Sequence, residues 1–132
     1  MTTPTSRADI VGYYFERLTA SDIPAIVALF ADDGTVESPV LGTMPADAFF
    51  ETLDGASERN VLTVHRIMSS PDDQCFAAHF TYEWALRAGG EVTFDGVDLF
   101  EFNDDGLLSA LKIFYDTYPT RSEVGNKYER PG

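Results

Sequence analysis

Four side chains in this sequence are of types that could share a reaction: Tyr14, Ser38, His65 and Asp98. Asp98 is the anomaly among them. It lies in Gly96-Val-Asp-Leu-Phe-Glu-Phe102, where strand alternation puts it on one face with Val92, Phe94, Gly96, Phe100 and Phe102. A carboxylate in the middle of such a face costs several kcal/mol unless it is protonated or well partnered. A protonated acid donates a hydrogen bond, and so does a phenol such as Tyr14. Ser38 ends the run Phe30-Ala-Asp-Asp-Gly-Thr-Val-Glu-Ser and precedes Pro39. Its hydroxyl has no useful basicity near neutral pH. Histidine is the side chain most often used for acid–base work, and the chain has two, His65 and His79.

The elements that must hold these groups follow from periodicity. From Arg7 to Leu18, the residues Ile10, Val11, Tyr14, Phe15 and Leu18 recur at helical spacing, so Tyr14 sits on the core-facing stripe. Ser21-Asp22 caps a second helix, with Pro24 early, where its missing N–H costs little. The core face of this helix is Ile23, Ile26, Val27 and Phe30, and Asp32-Asp33-Gly34 closes it. Thr35 to Pro39 reads as a short strand and Pro45 to Leu53 as a third helix, ending at Asp54-Gly55. The pattern then turns to alternation over Val61–Met68, Cys75–Leu86, Glu91–Phe102 and Leu107–Tyr115. The connections between these strands carry hairpin signals. Consecutive hairpins imply an antiparallel meander with helices gathered on one face, an α+β architecture. Residues 1–132 are expected to form a single domain with a core of about 7–118. A loose arm (Met1–Ser6) and a loosely attached tail (Pro119–Gly132) flank it.

Composition narrows the function classes. With 132 residues and 44% hydrophobic content, the chain can bury a core without staples. Ten Phe, six Tyr and one Trp can fill that core or line a cavity for a flat apolar ligand. The formal net charge of −13 repels phosphate backbones and anionic lipid, so neither nucleic acid nor membrane is an expected partner. Cys75 alone cannot form an internal disulfide and reads as a small core or interface residue. With no signal-peptide layout and no membrane-length apolar run, a soluble cytoplasmic protein is expected.

The runs Tyr14-x(7)-Asp22-Ile23, Phe30 to Pro39, Gly96 to Phe102 and Ile113-Phe-Tyr-Asp116 together resemble the ketosteroid isomerase and SnoaL-like polyketide cyclase group. That group belongs to the wider superfamily related to nuclear transport factor two. The resemblance spans about Ile10 to Asp116. It implies a cone-shaped α+β fold, with three N-terminal helices packed on a curved, mainly antiparallel sheet. It also implies an oxyanion hole built from Tyr14 and Asp98. The neutral carboxylic acid of that oxyanion hole is a worked case for this enzyme family, and its mechanism is taken over from there. The family's general base is an aspartate just before the proline, and here that position is Ser38. Isomerisation by the family's usual route is therefore not expected.

The same resemblance places His65, with Val61, Thr63 and Ile67, on the pocket side. His65 is there either a replacement base or a histidine hydrogen-bonded at the sheet edge. It further implies an apolar wall of Phe30, Phe50, Phe80, Tyr82, Trp84 and Phe100, with Tyr115 at the polar end; each of these also reads as plain core. His79 and Glu83 face outward, where the family pairs subunits, so a homodimer through the outer sheet face is expected. No metal site and no cofactor are expected, since two histidines and one cysteine offer few ligands and no phosphate-binding loop is present. Two readings remain open. One is an isomerase, dehydratase or cyclase acting on a small hydrophobic carbonyl compound. The other is a non-catalytic module of the same fold that binds a small hydrophobic ligand.

Overall fold

The computed structural model describes residues 6–117. The expected tail, and the expected arm apart from Ser6, lie outside them. Helix α1 (Arg7–Thr19) starts where the Ser6 hydroxyl accepts a hydrogen bond from the Asp9 amide, and it buries Val11, Tyr14, Phe15 and Leu18. Asp22 caps α2 (Ile23–Val27) by accepting from the Ala25 amide. This helix is shorter than its apolar spacing suggests. The chain leaves it before Phe30, which instead opens β1 (Phe30–Ser38) and pairs with Leu108.

Asp32-Asp33-Gly34 therefore does not close a helix; it bulges a strand. Between the pairs Phe30–Leu108 and Thr35–Ala110, β1 uses more residues than its neighbour β6 (Leu108–Tyr115). Gly34 makes this possible, because a Cβ there would lie 2.9 Å from the Leu108 carbonyl oxygen. Strand β2 (Gly42–Pro45), absent from the pattern reading, returns beside β1 after a tight turn with Gly42 at φ +72°. Helix α3 (Ala46–Ala56) passes directly into β3 (Ser57–Ser69), and β4 (Cys75–Leu86) and β5 (Glu91–Phe102) follow as hairpin partners.

The six strands form one sheet in the order β2-β1-β6-β5-β4-β3, in which only the β1–β6 pair is parallel. Alternation on β4 and β5 runs as the sequence predicts. Phe76, Ala78, Phe80 and Tyr82 are buried together with Gly96, Asp98, Phe100 and Phe102. The helices cover this face: α1 lies against β3 and β4, and α3 against β1, β2 and β3. Three helices on an open, curved, mostly antiparallel sheet give the α+β cone expected from the sequence. No helix among the described residues is long and apolar enough to cross a membrane.

Candidate functional site

The helices and the inner face of the sheet do not close completely on each other. They leave a cavity of about 590 Å³, within the usual size of small-molecule sites. Its walls come from seven elements, among them β1 through Ser38, and a turn. Tyr14, Phe15 and Leu18 stand on α1, and Phe49, Thr52 and Leu53 on α3. Leu62 comes from β3, Phe80, Tyr82 and Trp84 from β4, and Phe94 and Asp98 from β5. Ile113 and Tyr115 on β6 and the apolar β1–β2 turn (Pro39, Val40, Leu41) complete it. Small residues make room for the ring-bearing ones. Ala78 pairs with Asp98, and the Phe80 ring lies across Gly96, where a Cβ would fall 2.6 Å from its tip.

Asp98 is 2% exposed and stands at the wall of this apolar space. Its Oδ1 has no hydrogen-bond partner among the described residues. Burial pushes its carboxyl well above the ordinary carboxylate range, so the neutral acid is favoured. Tyr14 is 1% exposed, and edge-to-face contacts with Phe15, Phe50 and Phe100 fix its ring. Its hydroxyl is pushed up well above the ordinary value, mainly by burial and further by the Asp98 and Tyr82 groups nearby. Both groups therefore hold their protons and can act as donors. Asp98 is also the only carboxyl lining the cavity, and no Lys, Arg or His lines it among the described residues.

This burial has a consequence for stability. An unfolded aspartate ionises near its ordinary value of about 3.9, whereas folded Asp98 keeps its proton to higher pH. Between the two values the unfolded chain binds fewer protons, so stability falls as pH rises through that window. The slope is at most about 1.4 kcal/mol per pH unit. Urea denaturation from pH 4 to 8 should therefore show the wild type losing stability relative to Asp98→Asn. Parallel profiles for the two proteins would contradict the assignment.

The remaining polar groups are placed but are not bases. Ser38 Oγ accepts from the Leu41 amide at 3.2 Å, which holds the β1–β2 turn and leaves its O–H free to donate. The Trp84 indole N–H donates to Ser57 Oγ at 2.8 Å, and Ser57 in turn donates to the Leu53 carbonyl at 2.6 Å. That chain locks one aromatic wall to the end of α3. The Tyr82 hydroxyl is pushed up to about 12 by burial, against a smaller opposite pull from Ser57. It makes no hydrogen bond of full geometry among the described residues. Phe94 and Tyr115 stack at 4.2 Å, and burial also raises the Tyr115 hydroxyl.

Of the residues expected at the site, Tyr14, Ser38, Phe80, Tyr82, Trp84, Asp98 and Tyr115 line the cavity. Four do not. Phe30, Phe50 and Phe100 lie in the solid core behind it, with Phe50 wedged against Tyr14, Phe30 and Phe49. His65 stands on the outer face of the sheet. Leu62 pairs with Tyr82 and Val64 with Phe80, so the even positions of β3 turn inward and His65 turns out. A register shift follows, where His65 and Arg66 together oppose His79. Ile67 then pairs with Ala78 on the inner face. His65 is exposed, with Nε2 2.7 Å from Thr81 Oγ1. Two kinds of lining residue escaped the sequence reading. Phe94 shares the Asp98 face and was legible from alternation alone, whereas Val40 and Leu41 belong to a turn that no pattern marks.

An open α+β cone enclosing a largely apolar cavity defines the class of fold, which is NTF2-like. The SnoaL-like domain model matches residues 11–111, and the chain belongs to that family. Among similar solved structures is a candidate polyketide cyclase from Pseudomonas putida KT2440. It is 20% identical, with a TM-score of 0.79 over 89% of this chain and 97% of the other. An epoxide hydrolase/cyclase-like enzyme of pyran ring formation in the polyether salinomycin is 19% identical. Its TM-score is 0.75 over 86% of this chain and 92% of the other. A Mycobacterium tuberculosis protein in complex with estradiol-17β-hemisuccinate is 20% identical, again with a TM-score of 0.75, over 87% and 98%. At these identities the likeness concerns the fold.

Proposed function

We propose that this protein is a small acid-assisted enzyme of isomerase, dehydratase or cyclase type, acting on a hydrophobic, ring-containing carbonyl compound. The observation that carries the reading is the buried Asp98 carboxyl, its Oδ1 without a partner among the described residues, in the wall of a largely apolar cavity beside the Tyr14 phenol. A buried acid with no structural partner is costly to keep and marks a group with a use. In this reading Asp98 and Tyr14 donate to the carbonyl oxygen and stabilise the enolate that develops there. Water held at Ser38, or a basic group of the substrate itself, takes the α-proton. His65 has no part in this step, because it is on the other side of the sheet. The rings of Phe80, Tyr82, Trp84 and Phe94 would hold the ligand's apolar body.

Enolisation is the step these reaction types share, which makes it the step to measure. A hydrophobic cyclic ketone incubated with the protein in D2O should take up deuterium α to its carbonyl at least about tenfold faster than in buffer. Asp98→Leu should abolish the increase. A ketone that binds without exchange would overturn the enzyme reading in favour of a binding module. The absence of any Lys, Arg or His from the lining among the described residues supports that second reading.

A further inference from the structure

The outer face of the sheet carries a group of side chains that the cavity chemistry does not use. His65 from β3, His79 from β4 and Asp95 from β5 each present one ligand atom, and these atoms all lie within 4.8 Å of one another. The two imidazole rings are 4.7 Å apart between centroids. His79 Nε2 stands 3.6 Å from Asp95 Oδ2. Nitrogen and oxygen ligands bound at 2.0–2.1 Å around a tetrahedral ion lie about 3.3 Å from each other. One pair is thus already near ligand spacing. The third ligand needs a movement of up to about 1.5 Å, which an exposed histidine can make by side-chain rotation.

Thr81 sits between the three groups and orders them. Its hydroxyl donates to Asp95 Oδ1 at 2.6 Å, and it has only one proton to give. The 2.7 Å contact with His65 Nε2 therefore has the imidazole N–H donating to Thr81 Oγ1. The Thr81 bond fixes the Asp95 carboxylate by one oxygen and leaves Oδ2 turned toward His79, the oxygen a cation would take. Hydrogen bonds that orient a ligating carboxylate in this way strengthen metal sites. The register of β3 contributes as well, because Val64 pairs with Phe80 and the next residue, His65, therefore comes opposite His79 on the outer face.

We propose that His65, His79 and Asp95 form a surface site for a divalent transition-metal ion of the imidazole-preferring kind, with a fourth position open to water. Two imidazoles and one carboxylate suit Zn2+ and its neighbours in the first row, and they suit Mg2+ and Ca2+ poorly. The excess of acidic residues over the whole chain favours the approach of a cation. The site lies on the opposite face of the sheet from the cavity, so it stands or falls independently of the proposed reaction.

The test is a calorimetric titration of Zn2+ into the full chain, free of any affinity tag and stripped with chelator. His65→Ala, His79→Ala and Asp98→Leu are run beside it. Saturable binding of no more than one ion per chain is expected. Affinity should fall at least tenfold in each histidine variant and stay unchanged in Asp98→Leu. Equal binding in the wild type and both histidine variants would overturn the site, since the ion would then be held by acidic groups elsewhere. No saturable binding at all would overturn it too. Circular dichroism confirms that each variant is folded, and His65→Gln replaces His65→Ala if the alanine variant is not.

Discussion

Replacing Asp98 by leucine is expected to lower the affinity for a phenol that binds as its phenolate, such as equilenin, by between about tenfold and a hundredfold. That range corresponds to a charge-assisted hydrogen bond of about 1.5–3 kcal/mol, converted at about 1.4 kcal/mol per tenfold. Leucine is close to aspartate in shape, and the surrounding face is already apolar: Ala78 and Ile113 are the paired neighbours, with Phe100 two residues along. The fold should therefore survive. It should also gain stability, by about 1–3 kcal/mol, because an unsatisfied buried oxygen is removed. Loss of affinity with a gain in stability is the signature of a residue kept for its chemistry. Titration of the two proteins with the phenol, alongside urea denaturation, measures both. Unchanged affinity would show that Asp98 does not face the ligand's oxygen. A large loss of stability would show a structural bond that the static geometry hides.

The second large effect is a gain. Ser38→Asp places a carboxylate in the wall of the cavity that Tyr14 and Asp98 also line. A positioned general base contributes about a hundredfold to ten-thousandfold in proton-transfer reactions. With Tyr14 and Asp98 in place, the variant should isomerise a β,γ-unsaturated steroid ketone at a rate well above that of the wild type. Ser38 now accepts from the Leu41 amide, and an aspartate can accept the same bond, so the turn should keep its form. The new carboxylate would also raise the cost of ionising Asp98, which keeps the donor protonated. The assay is the growth of conjugated-ketone absorbance. A folded Ser38→Asp protein with no activity would show that position 38 and the two donors do not converge on one ligand.

Much of the architecture was legible because it rests on periodicity. The limits Cys75–Leu86 and Glu91–Phe102 are read directly from alternation, and the face carrying Asp98 follows from them. Tyr14 was placed by the stripe of α1 in the same way. The losses occur where a local pattern is overridden by pairing. Phe30 continues the helical spacing of Ile23, Ile26 and Val27, yet its pairing with Leu108 draws it into a strand. Strand β2 has four residues and no alternation, so nothing announced it, and with it went Val40 and Leu41 at the rim of the cavity.

The cavity itself was less legible than the fold. Core and lining use the same residue types, and only packing separates Phe49, which lines the space, from its neighbour Phe50, which does not. His65 shows the cost of one register step. The inward parity of β3 is set by Leu62 against Tyr82, and a single residue of offset moves a histidine from a reaction site to the opposite surface. The outward parity of His65 also brings it beside His79 and Asp95, a cluster spread over three strands that no spacing within one segment could reveal.

The central claim is that Tyr14 and Asp98 present two protonated donors to an open apolar cavity. The most direct measurement is the absorption and fluorescence of equilenin added to the purified wild-type protein. Saturable binding with the spectrum shifted toward the phenolate is the predicted result, because two strong donors stabilise negative charge on the bound oxygen. Absence of binding, or binding with the spectrum of the free phenol, would contradict it.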